Sequence, residues 1–195
     1  MKLWKRWTAA VLAAAMALLL LAACGPSGPS APDTPDTPGS SETGKDPAEM
    51  TEAQKVAAVV EALNTVREKN GLTRLELNAD ACAFAKEMAQ VQLDGVNGKY
   101  GKEPSTNTDY IAACAKVRKK KVGENASIGF GALLGAYPNA NQFKKWAVKT
   151  EGPSAERNNA LVKRKDATLV GVGVVQNTDD KTKDKYPIMV VVMTY

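Results

Sequence analysis

The chain contains no histidine. That absence removes every mechanism built on imidazole: Ser-His-Asp and Cys-His nucleophiles, and zinc sites of the His-rich kind. Three cysteines cannot supply a four-thiolate zinc site either. Long apolar runs are scarce, and only the one near the N-terminus could meet a membrane. A strong excess of one charge is also missing. The formal net charge is +5, which is no nucleic-acid signature. What remains is ordinary globular material, 44% hydrophobic and 24% charged over 195 residues, so wholesale disorder is excluded.

The charge is unevenly placed. Lys2, Lys5 and Arg6 precede an apolar run from Ala9 to Ala23. This is a secretory signal pattern, and residues 1–23 are set aside from the fold. The run is too short for a bilayer span of roughly 20 residues. It ends in Leu21-Ala22-Ala23-Cys24-Gly25, which resembles the bacterial lipoprotein box. The resemblance implies cleavage before Cys24, diacylation of its sulfur with palmitate-type chains, and a firm anchor. The bland alternative is a secreted protein with an incidental cysteine. Residues 24–50 then carry prolines 26, 29, 32, 35, 38 and 47 among Gly, Ser, Thr and Asp. With no apolar face to bury, this reads as a tether extended toward polyproline II, reaching on the order of 75 Å at about 3 Å per residue. Residues 51–195 hold 22 basic and 16 acidic side chains, a mild +6 compatible with anionic envelope polymers or lipid head groups.

That segment has the size for one domain with its own core. Thr51 and Gln54 fit a capping box ahead of a helix carrying Val56, Val59, Val60, Leu63 and Val66, which Gly71 closes. Thr73–Leu77 reads as extended. Asn78 caps a second helix whose face, Ala81, Ala85 and Met88, is built largely of small residues. Residues 94–107 read as loop, and 109–117 as a short third helix followed by the solvated basic run Arg118–Lys121. Glu124–Ile128 reads as a short strand, and Asn139 as the cap of a fourth helix that Gly152-Pro153 ends. Two strands close the chain, 168–176 and 186–195, joined by the polar NTDDKTKDK connection. Gly171 and Gly173 alternate with valines, so something approaches that face closely. The last strand is apolar throughout, so both faces are covered. Helices first and a hairpin last predict an α+β fold, an αβα sandwich with a central mostly antiparallel sheet.

In this order the segments resemble the bacterial branch of the CAP superfamily, the SCP or pathogenesis-related-1 domain. The resemblance rests on Leu63-Asn64-Thr65-Val66-Arg67 with Asn70-Gly71-Leu72, on Gly123-Glu124-Asn125-Ala126, on Trp146 followed by Arg157, Asn159 and Leu161, and on Gly171-Val172-Gly173-Val174. It spans nearly all of 51–195. It implies a cavity that, in the family, holds two histidines and two acids, in some members around a divalent metal. Here the first histidine position falls in the loop offering Val96, Asn97 and Tyr100, the second aligns with Glu156, and one acid with Glu124. The other acid aligns with Lys149. No cofactor and no metal are therefore expected.

Glu124 and Glu156 are the weak catalytic candidates. Two carboxylates in one cleft could act as an acid/base pair if they held different protonation states, or could ligate a hard cation. The bland reading has Glu124 fixing loops by hydrogen bonds and Glu156 at a helix start, paired with Arg157 or Lys149. Asn64 and Arg67 must be hydrogen-bonded if buried, as scaffold or as ligand contacts. The remaining cleft candidates are Tyr100, Asn125, Trp146, Lys149, Arg157 and Asn159, with Tyr110 and Tyr137 as further groove-lining aromatics. Cys82 and Cys114 can bridge, closing a loop of about 30 residues for roughly 3–4 kcal/mol, or remain free thiols; an exported chain favours the bridge. The functional expectation is a lipid-anchored, monomeric, extracytoplasmic domain on the bacterial membrane. It binds a wall glycan, a lipid or small apolar molecule, or a protein, with no nucleic-acid partner and no catalysis. The alternatives are a carboxylate-based hydrolase or cation-dependent protein using Glu124 and Glu156, and a structural surface protein without a small-molecule site.

Overall fold

The computed structural model describes residues 49–135, 140–149 and 161–195. The expected signal peptide, Cys24 and most of the expected tether lie outside these residues, as do Tyr137, Glu156, Arg157 and Asn159 and the expected helix boundaries at Asn139 and Gly152-Pro153.

Helix α1 (Glu52–Lys69) starts as the sequence predicts. Gln54 N donates to Thr51 Oγ1 at 3.2 Å and Thr51 N donates to Gln54 Oε1 at 2.9 Å, a complete capping box. It ends in a Schellman motif: Gly71, at φ +69°, donates to Glu68 O, and Leu72 N donates to Arg67 O. Strand β1 (Glu76–Leu77) follows, then α2 (Ala79–Val96), capped by Asn78 through Ala81 N at 3.0 Å. A 3-10 turn (Pro104–Thr106) leads to α3 (Thr108–Arg118), whose cap is Asn107.

After α3 the chain departs from expectation. Lys121–Val122 (β2) pairs antiparallel with Asn125–Ala126 (β3), and Gly123-Glu124 forms the turn between them. The expected strand Glu124–Ile128 is therefore a two-residue arm of a hairpin. The long strand is Gly129–Gly135 (β4). Helix α4 (Ala140–Ala147), β5 (Leu169–Gln176) and β6 (Ile188–Thr194) complete the described elements.

The main sheet has the order β1-β5-β6-β4, with β1 parallel to β5 and the other pairs antiparallel. Every residue of β6 is buried, because helices cover both faces. Ile188, Val190 and Val192 meet α1, α4 and the Leu161–Ala167 stretch on one face. Met189, Val191, Met193 and Tyr195 meet α2 and Val117 of α3 on the other. The αβα sandwich is the expected one.

Glycine sets the spacing of both layers. A Cβ on Gly171 would overlap the Ala81 carbonyl, and one on Gly173 would overlap the backbone at Ala85 and Lys86. The small face of α2 thus lies directly on β5, which is the close approach that the alternating glycines predict. On the opposite face Gly131 makes room for the Trp146 ring and Leu161.

Candidate functional site

Asn64 and Arg67 are buried and act on the backbone. Asn64 Nδ2 donates to Leu75 O at 3.0 Å, and Leu75 N donates to Asn64 Oδ1 at 2.8 Å. The amide thereby holds the segment entering β1 as a neighbouring strand would. Arg67 is 0% exposed, and its guanidinium donates to Thr73 O at 2.8 Å and Arg164 O at 2.9 Å, with longer contacts to Val162 O and Ala167 O at 3.4 Å. One side chain therefore ties the α1–β1 connection to the segment that enters β5. Burial pushes the guanidinium pKa down, and the carbonyl dipoles offset that desolvation. These two candidates are brackets of the fold.

Trp146 is also structural, stacked at 5.1 Å on Phe143 above Gly131. Glu124 and Asn125 are exposed in the β2–β3 hairpin, and Lys149 is exposed after α4. No group of three His, Cys, Asp or Glu able to hold a metal occurs among the described residues.

The expected Cys82–Cys114 bridge is not formed; both thiols are free. Cys82 Sγ accepts from Val172 N at 3.5 Å near the start of α2. Cys114 Sγ accepts from Gln92 Nε2 at 3.4 Å, ten residues further along that helix. Ten residues of α-helix span about 15 Å, and a disulfide needs Cα atoms within about 7 Å. Burial pushes both thiols up, so neither is an activated nucleophile.

The described residues do form an open cleft, of about 550 Å³, where α2 ends against α3, β4 and the β5–β6 connection. Its wall is built locally. Gly95 lets Tyr110 approach α2: a Cβ there would sit 3.1 Å from the ring. The Tyr110 hydroxyl donates to Gln92 Oε1 at 2.8 Å, which aims the Gln92 amide at Cys114. Tyr100 stands edge-on to Tyr110 at 5.4 Å, so this candidate supports the wall from behind. The loop expected over 94–107 begins only at Asn97, since α2 continues through Val96. Gly98 and Gly101 then turn at φ +85° each and leave main chain open at the rim beside Lys102.

Tyr186 forms the opposite side. A polar knot fixes it. Asn177, 4% exposed, donates from Nδ2 to Tyr186 O and Thr182 Oγ1 at 2.9 Å each. Asn97 at the end of α2 donates to Asn177 Oδ1 at 3.0 Å. The β5–β6 connection is thus fastened to α2, and the two walls are held at a set distance. Sequence reasoning named Tyr100 and Tyr110 but missed Gln92 and Tyr186 as wall residues. The available signal was the placement of Tyr186 beside Pro187 at a strand start.

The lining contains an amide, an ammonium, two phenols and glycine main chain, with Leu134, Val96 and Pro104 as apolar floor. Among the described residues it contains no carboxylate. The arrangement suits hydrogen bonding and ring stacking. Glu124 lies elsewhere: its hairpin leads into β4 at Gly129, whereas the cleft sits at Leu134, five residues or about 17 Å along the strand.

No protein-family model matches the chain, and no curated protein matches it in sequence. Several solved structures are similar to it at low identity, three of which follow. The crystal structure of MpPR-1i is 16% identical, with 75% of this chain and 90% of that one covered, at a TM-score of 0.45. An outer surface protein from Borrelia burgdorferi is 14% identical over 74% and 95% of the two chains, at a TM-score of 0.45. The CAP domain of Enterococcal PrgA is 17% identical, over 77% of this chain and 64% of that one, at a TM-score of 0.46.

Proposed function

We propose that this chain is a CAP-superfamily domain, anchored through a lipid on Cys24 and held outside the membrane by its proline-rich tether. In this reading it binds a saccharide of the cell envelope in the cleft at the end of α2 and does no covalent chemistry. The family reading is supported by what the resembling residues do. Asn64 and Arg67 are buried brackets, and the Gly171–Val174 strand is the seat of α2.

The observation that carries the ligand class is the lining. Tyr110, Tyr186, Gln92 and Lys102 surround an open, hydrogen-bonding cleft. Sugars are bound by phenol faces and by amides. An acyl chain would call for an enclosed apolar channel. A carboxylate-based acid/base mechanism finds no support in this cleft, since no carboxylate stands among its described lining residues.

The test is binding of solubilised envelope glycan fragments to the purified chain by calorimetry. The wild type should bind with a saturable isotherm, and Tyr186→Ala should weaken binding about tenfold or more, the loss of one aromatic contact of roughly 1.5 kcal/mol. Equal affinity in the variant, or acyl chains binding where glycans do not, would overturn the reading. Acylation is tested separately: a clickable palmitate analogue should label the wild type in cells and leave Cys24→Ala unlabelled.

A further inference from the structure

The other end of α3 carries a feature that the cleft does not use. Lys116, Arg118, Lys119, Lys120 and Lys121 crowd the last turn of α3, the following turn and the first residue of β2. One or two cations complement the partial negative charge of a helix C-terminus. Five exceed that need and repel one another.

Among the described residues their surroundings neutralise one of the five. The Lys120 ammonium pairs with Glu87. Lys116, Lys119 and Lys121 have no carboxylate within ion-pair distance among the described residues, and Glu124 in the hairpin turn is the other acid of this segment. Two of the cations are held in place by rings: the Arg118 guanidinium lies 5.4 Å from the centroid of Phe130, and Lys120 Nζ lies 5.0 Å from that of Phe84. Both rings are half-buried beneath the charges. The result is a narrow ridge of cations, partly preorganised, running from a helix end through a turn into a strand.

From this ridge we infer a docking surface for a linear anionic polymer of closely spaced phosphates. A chain of closely spaced phosphates can follow a narrow bent ridge and release its condensed counterions on contact. A lipid surface fits less well. Membrane-lying surfaces set apolar side chains into the headgroup layer, and here the nearest rings sit under the cations. The ridge and the cleft are separate: Tyr110 and Lys116, the first ridge residue on α3, are six residues apart, about 9 Å.

The experiment measures binding of the full chain, in non-ionic detergent, to inorganic polyphosphate across a salt series. Two triple variants are compared. Lys116→Gln/Lys119→Gln/Lys121→Gln removes three of the five cations of the ridge. Lys69→Gln/Lys165→Gln/Lys181→Gln removes the same charge from exposed positions elsewhere. All six residues are exposed, so both variants should fold, which circular dichroism checks. The wild type should bind, with log affinity falling linearly against log salt. The ridge variant should bind about tenfold or more weaker at low salt. Its salt slope should drop by about 2, since each neutralised phosphate contributes about 0.7. The control variant should keep both values near wild type. Equal losses in the two variants would mean net charge alone and would overturn the proposal. So would the absence of polyphosphate binding, or ridge-dependent binding to phosphatidylglycerol vesicles without any to polyphosphate. A Tyr186→Ala variant should bind polyphosphate as the wild type does, so failure of the saccharide reading leaves this one standing.

Discussion

Replacing Arg67 with methionine keeps most of the side-chain volume and removes every donor. In the native domain the guanidinium makes two short bonds, to Thr73 O and Arg164 O, and two long ones, to Val162 O and Ala167 O. A hydrogen bond from a charged donor contributes about 1.5–3 kcal/mol, so the two short bonds contribute about 3–6 kcal/mol. Methionine is cheaper to bury than a cation, which offsets part of that loss. It also leaves buried carbonyls without a partner. The net expectation is a loss of about 3 kcal/mol, or roughly 10 °C in melting temperature for a domain of this size. Arg67→Lys should lose less than Arg67→Met, because one ammonium can still serve one of the short positions. The assay is urea unfolding followed by far-ultraviolet circular dichroism, with the midpoint shift read at constant slope. A loss below about 1 kcal/mol for Arg67→Met would refute the bracket role, since desolvation would then cancel the bonds.

Four further outcomes follow from the packing. Gly171→Ala places a methyl against the α2 backbone and should cost about 3 kcal/mol or prevent folding, while Gly98→Ala, strained only by its positive φ, should cost about 1 kcal/mol; equal effects would contradict the seating of α2 on β5. Thr194 is 0% exposed and its hydroxyl has no partner among the described residues, so Thr194→Val should raise stability by about 1 kcal/mol, and a fall would reveal a hidden acceptor. Burial pushes the Tyr195 phenol up to about 12. The neutral form is the one the fold favours, so this stability is complete below pH 10 and is lost as pH rises through about 12; the last tyrosine to ionise by ultraviolet absorbance should vanish in Tyr195→Phe. Both thiols are free, so a reductant should leave the melting temperature unchanged and the denatured, unreduced protein should titrate Cys82 and Cys114 fully; a drop on reduction would restore the bridge.

The caps, the order of the helices and the closing hairpin were legible because each has a local cause. Thr51, Asn78 and Gly71 act within a turn of where they stand. The glycines of β5 announced a close contact and α2 supplied it. Strand β4 was not legible. Its sequence GFGALLG mixes glycine with strong helix formers and takes its conformation from pairing with β6, a partner more than fifty residues away. The disulfide expectation failed because cysteine parity says nothing of distance: Cys82 sits near the start of α2, and Cys114, on α3, meets α2 ten residues further along at Gln92. The site was half visible. Tyr110 lay on a recognisable helix, but its pairing with Gln92 and the knot that seats Tyr186 are tertiary, joining residues far apart in sequence.

The central claim is that the cleft at the end of α2 is the ligand site. Amide chemical-shift mapping of the isotopically labelled chain, titrated with envelope glycan fragments, tests it most directly. The account predicts saturable shifts at Gly95, Gly98, Gly101 and Tyr110 and around Tyr186, with the β2–β3 hairpin unmoved. Shifts centred on Glu124 and Asn125 with the α2 end silent would contradict it and return the function to the carboxylate side of the sheet.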